Sequence, residues 1–385
     1  MKKHLYSTTF LWLMLGASWL IYACRTPESR TQTNTATLDS LDYKIGQMLM
    51  VGFRGTSIKG KNHIKRDIRK HHLGGVILYS RDLLMGAKPR NIVSKSQLKT
   101  LITDLKKLSD VPLLVAVDEE GGKVSRLNAK FGFATTQTPQ EIGDINDLAA
   151  TEKWANHIAQ KVKAMGFNVN FAPVTDLNVN PKAPIIGKLG RSFSGDVNTL
   201  VQHALKFTKV HQKHGIVCAI KHFPGHGSAI MDSHLGFTDV TNTWKPIELK
   251  PFKQMIEQGF DGMVMTAHVF NKKLDEKYPA TLSKKIMNDY LRKQWGWQGI
   301  IISDDMQMNA IAKNFGIEEA LEKSINAGVD IVLFSNNGRI FYNKNIVPES
   351  IKIIKKLIKQ GKISRKRIDE SYQRIKKMKQ GLTRS

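Results

Sequence analysis

Eight short apolar runs punctuate the chain, each followed by a stretch with helical spacing. The runs are IGQMLMVGF (45–53), GGVILYS (74–80), VPLLVAVD (111–118), NVNFAPVTD (168–176), GIVCAIKHF (215–223), DGMVMTAHV (261–269), GIIISDD (299–305) and GVDIVLFS (328–335). They are rich in Val and Ile and bounded by Gly or polar residues, which predicts buried strands. Between them, SQLKTLITDLKKLSD (96–110) and LAATEKWANHIAQKVKAMG (148–166) repeat apolar residues every three or four positions, the mark of amphipathic helices. Strands alternating with helices imply parallel βαβ units. Eight of them favour an α/β fold of the (β/α)8 TIM type over an open doubly wound sheet. No GxGxxG comes after the first run, which weakens the open-sheet reading further. The chain beyond Ser335 reads as helices, so one domain is expected over 41–385.

In such barrels chemistry collects at the C-terminal ends of the strands. Here those ends carry Asp118, Asp176, Lys221 with His222, His268, Asp304 with Asp305, and Ser335 with Asn336. Strand ends are polar by default, but six that are rich in such groups point to a shared site. Gly121 and Gly122 after Asp118 permit a sharp turn. Asp304 comes directly after an apolar run, where a carboxylate is costly unless it is hydrogen-bonded. A helix cap is the structural alternative for Asp304, and Asp305 could fill that role as readily.

The N-terminus changes the picture. MKKH followed by LYSTTFLWLMLGASWLIYA has the form of a secretory signal over 1–23. Its end, LIYAC, resembles a lipobox with Cys24 as the lipidated residue. An uncleaved membrane anchor is the alternative, because the apolar run approaches spanning length. Residues 25–40, RTPESRTQTNTATLDS, are polar and read as a flexible tether. Arg25 rather than an aspartate is next to Cys24, which favours the outer membrane. The only other cysteine, Cys218, sits in apolar IVCAI and reads as a buried small hydrophobe, so no disulfide supports the fold. The net charge of +26 suits either an anionic surface or a generally Lys-rich chain. No nucleic-acid motif accompanies it.

The stretch KHFPGHGSAIMDSH (221–234) is the densest in chemistry. His222, His226 and His234 could in principle supply three metal ligands. However, PGHG favours a turn, and no HExxH helical spacing is present, so no metal or cofactor is expected. Asp232 and His234 flank one serine, so in an extended loop their side chains share a side. A carboxylate beside an imidazole orients it and stabilises its charged form, which makes the pair a proton-transfer device.

KHFPGHG and then DSH, together with DEEGGKVSRL (118–127), GRSFSGD (190–196) and SDDMQM (303–308), resemble glycoside hydrolase family 3, and within it the β-N-acetylglucosaminidases. The motifs occur in the family's order from Tyr43 to Leu382, and the family fold is a (β/α)8 barrel. The resemblance implies Asp304 as nucleophile, His234 as acid/base and Asp232 as its carboxylate partner. It implies Asp118 as a holder of sugar hydroxyls, with Arg126, Arg191, Lys221 and His222 in the sugar pocket. Two departures are local: Ser228-Ala229 stand where the family often has an aspartate and a threonine, and Lys123 stands where an arginine is commoner.

The expectation is therefore retaining exo-hydrolysis of terminal β-linked N-acetylglucosamine by a monomer held at the bacterial envelope through Cys24. Murein fragments or chito-oligosaccharides are the expected substrates. Another family 3 specificity such as β-glucosidase, a phosphorylase, and a non-catalytic wall-binding lipoprotein remain as alternatives. If His234 does not carry the proton, Asp176 and His268 are next on the rim.

Overall fold

The structure is a computed structural model that describes residues 40–60, 62–231, 236, 238–338 and 342–382. The expected signal and the expected tether up to residue 39, with Cys24, lie outside the described residues, as do Asp232 and His234; Ser40, the last residue of the expected tether, caps the first helix. All eight apolar runs contribute a strand. In chain order these are β1 (Leu49–Gly52), β2 (Gly75–Ile77), β3 (Leu114–Val117), β4 (Val169–Asn170), β5 (Val217–Phe223), β6 (Met263–Thr266), β7 (Ile300–Ile302) and β8 (Val332–Phe334). They pair in parallel in the order β7-β6-β5-β4-β3-β2-β1-β8. An isolated parallel bridge between Ile302 and Ile331 joins the two ends, so the sheet curls into a barrel. Parallel strands covered on both faces need continuous apolar sequence, and β1, β2, β3, β6, β7 and β8 are buried throughout.

Two runs depart from the expectation. Ile45–Gln47 belong to the helix Leu41–Gln47, which starts where the Ser40 side chain accepts from the Tyr43 N–H. The run at 168–176 yields only two strand residues. Pro173 has no N–H to offer a ladder, and pairing resumes as a single bridge from Val174 to Lys221.

The helices keep the predicted alternation. Leu148–Met165 begins at Asp147, whose carboxylate accepts from the Ala149 N–H, and ends at Gly166 with φ of 97°. Only glycine takes that angle without steric cost, so the sequence AMG stops the helix there. Lys95–Lys106 starts at Ser94, and Val197–Lys213 at Asp196, the last residue of GRSFSGD. The chain after β8 forms the helices Ile346–Lys359 and Arg365–Leu382, as its spacing predicted. Cys218 is a buried free thiol on β5, pushed well up by burial.

Candidate active site

Alternation along extended chain decides which residues of DEEGG face the barrel mouth. Asp118 and Glu120 point one way and Glu119 the other. Glu119 braces the turn, accepting from Ser125 Oγ (2.6 Å) and the Leu127 N–H (2.9 Å) and pairing with Lys161 Nζ at 2.6 Å. The turn itself uses Gly121 and Gly122 at φ of 96° and 54°. A Cβ on Gly122 would meet Thr138 Cγ2 at 2.3 Å, so the second glycine is also a packing requirement.

Asp118 and Glu120 share one ammonium. Lys221 Nζ, from the end of β5, donates to Asp118 Oδ1 at 3.1 Å and lies 2.6 Å from Glu120 Oε1. Arg126 Nη2 donates to Asp118 Oδ2 at 3.1 Å. Arg191 grips Glu120 with two bonds, Nε to Oε2 at 2.7 Å and Nη2 to Oε1 at 2.8 Å. Burial alone would raise both carboxyl groups. Lys221 and Arg126 outweigh it at Asp118, which lies well below its ordinary range. Arg191 and Lys221 do the same at Glu120, held down at about 2. Both carboxyl groups therefore stay ionised at neutral pH, with side-chain exposure of 16% at Asp118 and 27% at Arg126 left toward solvent.

His222 joins the web from its other end. Its Nδ1 lies 2.6 Å from Asp176 Oδ2, and its Nε2 faces Arg191 Nη2 at 3.5 Å. Asp176 also accepts the backbone N–H groups of His222 (3.0 Å) and His226 (2.8 Å), so one carboxylate fixes the start of the histidine-rich loop. Burial works against its charge, but His222 and these bonds hold it below the ordinary value. Asp176 is thus an orienting group, not the spare acid that its position on the rim suggested. His226 is buried, and burial with His222 nearby pushes it down to about 4. The loop continues through Ser228, whose N–H donates to Glu248 Oε2 at 3.2 Å. Lys123 Nζ donates to the Lys188 carbonyl at 3.1 Å.

The β7 end is built differently. Asp304 is partly exposed, its Oδ1 accepts from the Asp305 N–H at 2.7 Å, and its own N–H donates to Thr266 Oγ1 of β6 at 3.3 Å. Thr281 bridges Thr266 (2.7 Å) and His268 Nδ1 (2.8 Å), and His268 Nε2 lies 2.9 Å from the Asp305 carbonyl. His268 is therefore a brace of the β7 end. Asp305 caps no helix. Its carboxylate accepts from Gln307 N–H (3.1 Å), Ser335 N–H (2.8 Å) and Ser335 Oγ, tying the end of β7 to that of β8. Burial raises the Asp305 carboxyl group in spite of these donors.

The structure thus gathers Asp118, Arg126, Arg191, Lys221 and His222 into one bonded web and puts Asp304 on the same rim. Glu120 and Asp176 are the members that the sequence reading did not assign. Two-residue alternation from Asp118 was the available signal for Glu120; Asp176 gave none beyond its place at a strand end. Among the described residues no cluster of His, Cys, Asp and Glu is placed to hold a metal, and no helix is long and apolar enough to cross a membrane.

Residues 40–378 match the profile of the glycosyl hydrolase family 3 N terminal domain. The chain belongs to glycosyl hydrolase family 3. A "Beta-hexosaminidase" of Tolumonas auensis is 35% identical over 75% of this chain and 83% of its own length. "Beta-hexosaminidase A" of Pseudoalteromonas piscicida is 31% identical over 89% of this chain and 61% of its own. Among solved structures, a family 3 β-N-acetylglucosaminidase from Paenibacillus sp. str. FPU-7 superposes with a TM-score of 0.80 at 31% identity, over 89% of this chain and 63% of that one. The family 3 chain therefore spans less than two thirds of the length of the last two proteins. The barrel expected from the strand count is the barrel of these relatives.

Proposed function

We propose that this family 3 barrel removes terminal β-linked N-acetylglucosamine from glycans such as murein fragments or chito-oligosaccharides, with retention of configuration. The observation that carries the reading is Asp304. Asp304 is partly exposed at the end of β7, its carboxylate accepts from the Asp305 N–H, and the bond its own N–H donates to Thr266 of β6 fixes it on the rim that bears the Asp118 web. The names of the relatives support the sugar, and the neutralised web supplies fixed donors and acceptors for its hydroxyl groups.

In the proposed reaction the Asp304 carboxylate attacks the anomeric carbon as the bond to the leaving oxygen breaks. His234 gives that oxygen its proton, then takes one from the water that cleaves the glycosyl-enzyme. Asp232 orients His234. A histidine in this role has one advantage beside a carboxylate nucleophile: without its proton it is uncharged and does not repel Asp304. The anchoring of His222, His226 and Ser228 supports a defined departure point for the loop that carries the dyad. The protein is placed at the bacterial envelope by lipid on Cys24, outer membrane favoured, and acts as a monomer. Loss of membrane partitioning in Cys24→Ser, with specific activity kept, tests the anchor; continued partitioning would mean an uncleaved span.

The deciding experiment is product analysis with chitobiose, purified muropeptides and a panel of nitrophenyl glycosides. Release of β-N-acetylglucosamine supports the reading. Preference for a glucoside would make the protein a β-glucosidase, and a sugar phosphate formed in phosphate buffer would make it a phosphorylase. Binding without turnover of any substrate would leave a wall-binding lipoprotein.

A further inference from the structure

Tyr79 stands at the C-terminal end of β2, on the rim that carries Asp118. Its backbone is clamped by Asn91: the Tyr79 N–H donates to Asn91 Oδ1 at 3.0 Å, and the Asn91 N–H donates to the Tyr79 carbonyl at 3.0 Å. Its ring lies against the Arg126 guanidinium, 5.8 Å from the ring centroid, and Arg126 is the residue that holds Asp118. On another side is Gly52 of β1, where even a Cβ would come within 3.4 Å of the ring carbon Cε2. The backbone clamp and the Arg126 guanidinium therefore set where the ring lies.

Its hydroxyl is a different matter. Tyrosines of the interior give their O–H a partner, yet this one bonds no described residue, while the ring remains only partly buried. Burial first, then the carboxylates of Asp118 and Asp305, push the phenol well above its ordinary value, so it keeps its proton as a donor. Tyr79 thus stands in the field of a carboxylate of the sugar-holding web and of the residue next to Asp304.

We propose that the Tyr79 hydroxyl is a substrate-binding group, donating a hydrogen bond to a hydroxyl of the terminal sugar held by Asp118 and Arg126. This rests on the glycosidase reading above. Tyr79→Phe removes only the oxygen and keeps the ring against Gly52 and Arg126, so thermal unfolding should be unchanged. On nitrophenyl N-acetyl-β-glucosaminide the variant should lose about 5- to 20-fold in kcat/KM, mostly through KM. Monodeoxy analogues of that substrate, lacking the hydroxyl at carbon three, four or six, identify the partner. For one of them wild type and variant should be equal, because the bond is missing in both. A loss smaller than about twofold, or the same loss on the parent and every analogue, overturns the contact. Wild-type enzyme that turns over none of these substrates removes the function reading and this inference together. Active wild type with an unaffected variant removes this inference alone.

Discussion

Two buried acid–base webs sit at opposite ends of the barrel, built from the same chemistry to different purposes. At the N-terminal side of β8, Asp330 is completely buried and ringed by Arg292, Arg367 and Arg374. Ser371 Oγ donates to it at 2.8 Å and the Ile301 N–H at 3.0 Å, so its acceptor capacity is filled from β7, the helix Arg365–Leu382 and the segment after β6. At the C-terminal end, Asp118 and Glu120 share Lys221, and the outer edge of the pair, Asp118 with Arg126, remains open to the mouth. A carboxylate enclosed by donors on every side can only hold elements together. One balanced by cations but left open on a side can also bind. Burial opposes charge in both webs, and in both the cations win. What separates structure from site is the unfilled side, not the strength of the pairing.

The largest effect should come from the open end. Asp304→Ala should lose nearly all turnover on aryl N-acetylglucosaminides while retaining sugar binding and thermal stability. More than about a tenth of wild-type kcat, roughly 1.4 kcal/mol of barrier, would sink its role as nucleophile. His234→Ala sharpens the picture by substrate. A sugar leaving group needs its proton and nitrophenolate hardly does, so kcat should fall about 100-fold or more further on a disaccharide than on the aryl substrate. Mass spectrometry should detect glycosyl-enzyme building up on the aryl substrate. Equal losses on both, with no intermediate, would move the acid/base elsewhere.

The closed end predicts the converse. Asp330→Asn leaves three guanidinium groups facing a neutral amide and should cost about 3–5 kcal/mol of stability in denaturant titration. The folded fraction should keep wild-type kcat and KM. A variant of normal stability with impaired turnover would break the division between the two ends.

The smallest effect concerns a buried carboxyl group with no cation partner among the described residues. Glu248 accepts from the Ser228 and Lys245 N–H groups, and burial pushes it from its ordinary value of 4.5 up to about 7. Between those values the folded chain keeps a proton that the unfolded chain has released. Its contribution to stability is therefore greatest below about pH 4.5, falls as the pH rises to about 7, and is level beyond. Glu248→Gln does not titrate. The Tm of the variant relative to wild type should thus rise across that window, and a difference that is flat with pH would show that Glu248 ionises normally.

Much of this molecule is local and was legible in order along the chain. Apolar runs bounded by Gly or polar residues determined the strands, because a segment covered on both faces has no place for water-seeking groups. AMG fixed a helix end, and GG after Asp118 fixed a turn, through the sterics of single residues. The concentration of ionisable groups at the ends of strands placed the site on one rim before any side chain was seen, and SDDMQM put Asp304 there. Asp305 was legible as a neighbour but not as the tie to Ser335, and DEEGG pointed to Asp118 while passing over Glu120.

What only the tertiary structure decided is which group meets which. Arg191 reaches Glu120 across 71 positions of sequence, and Lys221 reaches Asp118 across 103. Periodicity and turn chemistry act over a few residues and carry no information at such separations. The closed barrel brings β3, β4 and β5 side by side, and their ends then share charges. The same closure turned Asp176 from a spare acid into the partner of His222, made His268 a brace, and left the Tyr79 hydroxyl at the mouth without a described partner. Residue types told what chemistry the chain could perform. Proximity, set by the barrel, decided which of those residues are held charged, which are spent on holding others, and which remain open to the mouth.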